Sequence, residues 1–204
     1  MKRKEEDYMQ DLREIRSIME RSTKFLSLSG ISGVLAGLYA LAGAYLAFEI
    51  FNDQEELVHG IPVGEQVWDL LFIGFTVLVL AIGTAVLFSV RKAKKREEKV
   101  WNSAARRMLV NMAVPLVAGG ILVLVLLFKG LLLLMAPMTL IFYGLALYNA
   151  SKFTFSDVKY FGFVQVVLGL LAVSFTQYSL LFWAFGFGVM HIIYGIYVNY
   201  KYER

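Results

Sequence analysis

Residues 8–47 read YMQDLREIRSIMERSTKFLSLSGISGVLAGLYALAGAYLA. Tyr8, Leu12, Ile15, Met19, Ser22 and Leu26 are spaced alternately four and three apart, which sets them on one face of a helix. After a further step of four at Leu26 the alternation resumes as Gly30, Gly33, Gly37, Ala40, Ala44 and Ala47. An inserted four-residue step is a stutter, which shifts a seam slightly without ending it. The stretch therefore predicts a polar amphipathic helix over residues 1–24 that runs without a loop into an apolar helix packed through Gly and Ala. In lipid the hydrophobic effect no longer drives helices together, and small residues allow the close backbone approach that replaces it. Gly and Ala are common in membrane helices in general; six of them in one register point to a seam.

The rest of the chain fits a membrane solvent. Of its 204 residues 58% are hydrophobic, and the mean hydropathy is +0.63. A bilayer core takes about 20 apolar residues per helix. Six stretches fit, at about Phe25–Phe48, Val67–Val90, Met108–Phe128, Gly130–Tyr148, Tyr160–Phe175 and Tyr178–Tyr200. The expectation is an all-α polytopic membrane protein: a 1–24 cytoplasmic helix and a six-helix domain over 25–204, arranged as three helical hairpins. The chain has no cysteine, which excludes disulfides, thiolate metal sites, Fe–S ligation and a Cys nucleophile. The charged N-terminal region and the full-length first apolar run are unlike a signal peptide with its 7–15-residue core, so cleavage is not expected.

Charge placement sets the expected orientation. Lys2, Arg3, Lys4, Arg13, Arg16, Arg21 and Lys24 precede the first span, and Arg91, Lys92, Lys94, Lys95, Arg96, Lys99, Arg106 and Arg107 surround the second loop. Lys152 and Lys159 lie in the fourth loop, Lys201 and Arg204 in the tail, and only Lys129 on the other side. The positive-inside rule then places both termini on the cytoplasmic side of the membrane. Basic clusters of this kind are explained by topology and the anionic lipid surface, and no nucleic-acid partner is implied.

Between the first two spans lies an acidic stretch holding Glu49, Asp53, Glu55, Glu56, Glu65, Asp69 and His59. Glu55 and His59 are one helical turn apart and of metal-binding type, but Gly60, Pro62 and Gly64 favour irregular backbone, and a solvated acidic loop with no metal is the simpler reading. Trp68 reads as an interfacial anchor. Asn102 or Ser103 is placed to cap the third span. Pro115 and Pro137 predict kinks in the third and fourth spans, and Lys129-Gly130 a tight turn between them. Gly83, Tyr143-Gly144 and Tyr194-Gly195 recur at the inner halves of alternate spans, which suggests an internal repeat.

Candidate chemistry is sparse. Gly162, Gln165, Gly169, Ala172 and Thr176 form a small or polar seam in the fifth span, and Ala184, Gly188, His191, Gly195 and Val198 one in the sixth. His191 lies deep in its span, where an ionisable group is a functional candidate by default. Its alternative is a neutral ring bonded to a neighbouring helix. Gln165 joins it as a candidate binding residue; Asn111 and Gln165 also suit a role as glue between helices. No Asp, Glu, Lys or Arg falls at mid-span, which argues against a voltage sensor or a carboxylate proton pump. His59 and His191 lie too far apart in depth to share one haem. No Ser/His/Asp constellation, HExxH or phosphate-binding glycine loop occurs, so neither an enzyme nor a cofactor is expected.

The segment ERSTKFLSLSG at 20–30 and GVLAGLYALAGAYLA at 33–47 resembles the N-terminus of a group of uncharacterised small bacterial six-span inner-membrane proteins. The resemblance covers about the first fifty residues and implies no activity. The three-hairpin layout is similar, in architecture alone, to six-span bacterial acid-resistance membrane proteins. The sequence thus points to a non-enzymatic structural or regulatory membrane protein. Leu12, Ile15 and Met19 would dock a second copy or a cytosolic protein through residues 1–24. The alternative is a small transporter or channel built around His191 and Gln165.

Overall fold

The computed structural model describes residues 24–26, 29–52, 65–95, 97 and 100–203, with backbone alone at 51, 52, 65 and 66. Leu12, Ile15, Met19 and most of the acidic stretch, His59 included, lie outside the described residues. Six helices, and no strand among the described residues, make up the fold: α1 Gly30–Asn52, α2 Glu65–Lys95, α3 Ser103–Phe128, α4 Met135–Ala150, α5 Val158–Ser174 and α6 Thr176–Tyr202.

Among the described residues five apolar stretches are long enough to cross a bilayer: Gly30–Ile50, Val67–Lys95, Ser103–Phe128, Leu132–Ala150 and Thr176–Tyr202. The last of these contains short 3₁₀, α and π segments before its regular final part. Helix α5 has 17 residues, about 25 Å at 1.5 Å per residue, short of the roughly 30 Å hydrocarbon core. Five of the six expected stretches are thus helices long and apolar enough to span a membrane, and the fifth in order, short already in the sequence, is the shorter apolar helix α5.

The continuous helix expected across Leu26 is also corrected. Lys24, Phe25, Leu26 and Ser29 are not helical, and α1 starts at Gly30. Local pattern favours continuation, but Phe25 has non-local partners. Its N–H donates to Phe153 O at 2.7 Å, and its carbonyl accepts from Thr154 Oγ1 at 2.7 Å. Its ring is buried with Ala104, Ala105, Met108 and Ala150. These contacts satisfy backbone groups and bury an aromatic ring, which together offset the lost helical turn.

Helix ends follow local chemistry. Asn102 is the N-cap of α3, its side chain accepting from Ala105 N–H at 2.8 Å. The α3–α4 turn is a Schellman motif: Leu131 N–H donates to Leu126 O at 2.9 Å and Gly130 N–H to Leu127 O at 3.0 Å. Gly130 supplies the required positive φ, 71°. Pro115 is buried inside α3. Pro137 is not in a helix interior; it is the third residue of α4, in the first turn, where a missing N–H leaves no helical bond unmade.

Helix α2 packs on α1, α1 on α6, α4 on α5, and α3 on α4, while the first half of α6 reaches α4 and α5. The most apolar window of α2 buries none of its residues against the bundle. Glycine brings the central pairs together. A methyl group on Gly37 would lie 2.6 Å from Gly188 O, and one on Gly195 2.6 Å from Gly30 O. Gly30, Gly37, Ala40, Ala44 and Ala47 are buried and Gly33 is half-buried, so this register of α1 faces the bundle. The N-terminus of α1, the C-termini of α2, α4 and α6 and the N-termini of α3 and α5 meet at one end, rich in Lys and Arg.

Candidate functional site

Helices α4, α5 and α6 enclose a polar node in apolar surroundings. Its centre is the carbonyl of Gly186, inside the π-helical turn Ala184–Val189. A π turn widens the backbone ring by one residue, and such turns are frequent at functional sites. Gly186 O accepts from Gln165 Nε2 at 2.8 Å and lies 3.0 Å from His191 Nδ1. A carbonyl only accepts, so Nδ1 carries the proton in this arrangement. Nε2 of the neutral ring is then an acceptor, and the Tyr143 hydroxyl, 2.8 Å away, donates to it. The chain Tyr143–His191–Gly186–Gln165 thus joins three helices.

Gln165 is 0% exposed and His191 9%. Phe161 meets the imidazole edge-on at 4.8 Å, and Tyr143 and Phe187 stack on it at 5.4 and 5.7 Å between ring centres. Tyr194 stacks on Phe161 at 4.5 Å. Two buried polar atoms have no hydrogen-bond partner among the described residues: Gln165 Oε1 and the Tyr194 hydroxyl oxygen. Gly186 fits closely here: a methyl would lie 2.5 Å from Leu140 Cδ2 and 2.6 Å from Gln165 Oε1, so those side-chain ends would have to shift.

A second constellation holds the basic end. Asp157 Oδ2 accepts from Lys201 Nζ at 2.7 Å, Tyr202 Oη at 2.7 Å and Tyr197 Oη at 3.0 Å. Burial pushes the Asp157 carboxyl up, but the bonds from Lys201, Tyr202 and Tyr197 outweigh it, and its pKa is lowered. Glu203 Oε1 accepts from Gly30 N–H at 2.8 Å and from Lys92 Nζ at 2.9 Å, binding α1, α2 and the end of α6 together. Burial again pushes up, and Lys92 with the Gly30 N–H prevails, lowering the Glu203 pKa. An anion at a helix N-terminus also meets the positive end of the helix dipole.

Sequence reasoning singled out His191 and Gln165, and both lie in one node. It did not single out the partners that give them geometry. Tyr143 was visible as half of a Tyr-Gly pair, but the π turn at Gly186 has no periodicity signal beyond its two glycines. Asn111, the other amide considered, donates among the described residues to Arg107 O, one turn back, at 2.8 Å. Phe25, Thr154 and Glu203 carried no motif. Among the described residues no group of three or more His, Asp or Glu side chains is placed to hold a metal.

Comparisons with protein-family models, with curated proteins and with solved structures gave no match.

Proposed function

We propose that this chain is a non-enzymatic structural or regulatory protein of the bacterial inner membrane, with both termini in the cytoplasm. Residues 1–24 dock a second copy or a cytosolic protein at its cytoplasmic face. The reading keeps six membrane segments, α5 being the short one, and an amphipathic helix before α1. One observation carries it: Phe25 is hydrogen-bonded to Phe153 and Thr154 and buried against the ends of α3 and α4. A segment held at its exit by the ends of α3 and α4 and by the loop after α4 transmits what it binds to the bundle, whereas a free tether would not.

The apolar stripe Leu12, Ile15 and Met19 needs a cover in water. The acids Glu5, Glu6, Asp7, Asp11, Glu14 and Glu20 nearly cancel the seven bases of this segment, so a helical protein partner fits better than the lipid surface. Replacing Leu12 and Ile15 by Glu is expected to leave insertion intact and to abolish self-association or partner capture in mild detergent. An unchanged assembly state with unchanged co-purifying proteins overturns the reading.

A second reading is favoured by a different observation, the unpartnered buried oxygens beside His191. It makes the node the midplane site of a small transporter or channel. Flux in proteoliposomes that disappears in His191→Ala supports it, and absence of flux for ions and small solutes removes it.

A further inference from the structure

We propose that the node between α4, α5 and α6 is a binding site for one small hydrogen-bond donor, a water molecule or an ammonium ion, held by Gln165 Oε1. This deepens the second reading by naming the class of molecule, and it can hold even where no flux exists.

The argument starts from Gln165. Its amide orientation is fixed, because Nε2 donates to Gly186 O and the reverse placement would set two acceptors face to face. Oε1 therefore points away from that bond, completely buried and unpartnered among the described residues. The large majority of buried side-chain polar atoms in folded proteins have a hydrogen-bond partner, and one that has none within the chain points to a bound water or ion. The Tyr194 hydroxyl is the second such atom. Its ring stacks on Phe161 at 4.5 Å, and Phe161 is one helical turn before Gln165 on the same face of α5.

The donor and acceptor inventory selects the ligand. Gly186 O already accepts from Gln165 Nε2 and His191 Nδ1, and His191 Nε2 from Tyr143, so Gln165 Oε1 is the acceptor left open, and among the described residues no carboxylate, Lys or Arg belongs to the node. An anion would face the lone pairs of Oε1. A hard divalent cation would lack the carboxylates it requires. A small donor of N–H or O–H groups fits. Size is limited by Gly186, where even a methyl would sit 2.5 Å from Leu140 Cδ2.

The test is infrared difference spectroscopy on full-length protein labelled with ¹³C-glutamine in lipid nanodiscs, parent minus Gln165→Leu. Gln165→Met, which keeps the length of the side chain without the oxygen, replaces it where the first variant does not insert. A Gln165 carbonyl band at the lower frequency of a hydrogen-bonded amide supports the proposal. A saturable change with ammonium chloride, absent with sodium chloride and tetramethylammonium chloride, then identifies ammonium; no dependence on any salt identifies water. A band at the free-carbonyl frequency under all conditions overturns the proposal, as does an equal response to tetramethylammonium, which has no donor. Because the readout is spectroscopic, failure of the transport reading leaves it intact, and its failure does not depend on a flux measurement.

Discussion

Gly144 and Gly162 face each other across α4 and α5 in a reciprocal contact. A methyl group on Gly144 would lie 2.6 Å from Gly162 O, and one on Gly162 would lie 2.7 Å from Gly144 O. Each backbone occupies the place of the other's side chain. The α1–α6 pair repeats the arrangement at Gly30 and Gly195, so the Tyr-Gly pairs at 143–144 and 194–195 mark corresponding crossings of two helix pairs.

Gly144→Ala is accordingly expected to separate α4 from α5. Overpacking of this kind costs about 1–3 kcal/mol, against a helix-propensity gain of about 1 kcal/mol for Gly to Ala. Gly83 and Gly120 meet no atom within 4 Å, so Ala there brings only the gain. Thermal midpoints in one detergent should fall for Gly144→Ala and stay level or rise for Gly83→Ala and Gly120→Ala. Equal shifts at the three positions would mean that the α4–α5 approach is not close.

Thr154 tests the clamp on Phe25. It is 1% exposed and donates to Phe25 O. Thr154→Val keeps the shape and removes the donor, leaving a buried carbonyl unpaired at a cost of about 1–3 kcal/mol. The loss should appear locally: trypsin cleavage after Lys24 is expected to accelerate while the global midpoint moves little. Unchanged cleavage would show that the bond does not hold the segment.

How much of this was legible in the sequence depends on range. The apolar runs of α2 and α3 and the Gly/Ala register of α1 are local patterns, and each is visible in a window of two or three turns. The break before Gly30 is not. Its cause is a bond between residues 129 positions apart, and within its own window Leu26 continues the seam. His191 stood out because an imidazole is rare at such depth, yet its partner Tyr143 is 48 residues away. The π turn that presents Gly186 O depends on packing against Gln165 and Leu140, which no single-helix period encodes. Pro137 shows the reverse error: the same residue breaks a helix interior and suits a first turn, and only the position of the helix start decides between them.

The basic end should weaken in acid. Asp157 and Glu203 both have folded pKa values below their ordinary ones, through Lys201 with two tyrosine hydroxyls and through Lys92 with the Gly30 N–H. A carboxyl whose pKa is lowered by folding contributes stability that is fully present above its unfolded value, about 4, and is lost as pH falls through the folded value. Stability attributable to these groups is therefore expected to be flat from pH 7 to about 5 and to decline below about 4. In Glu203→Gln the acid decline should be shallower and the neutral plateau lower. An acid limb identical to that of the parent chain would show that the Glu203 contacts contribute nothing measurable.

Orientation can be read directly because the chain contains no cysteine, so single introduced thiols report without background. Arg91, Lys92, Lys94, Lys95, Arg106, Arg107, Lys152, Lys159 and Lys201 gather at one end of the bundle together with the start of α1, and Lys129 stands at the opposite end. Retention of Lys and Arg on the cytoplasmic side then predicts which ends an impermeant maleimide reaches in intact cells. Cysteine at Lys129 or Gln177 should label from outside, and cysteine at Lys95 or Ser156 only after permeabilisation. The α3–α4 and α5–α6 turns must behave alike, since both lie at the end opposite the Asp157 and Glu203 contacts. Labelling of Lys95→Cys from outside would invert the bundle, place residues 1–24 on the outer face and remove the cytosolic partner from the proposed function. Labelling of Lys129→Cys but not Gln177→Cys would instead mean that α5, the 17-residue helix, does not bring the chain back across the bilayer.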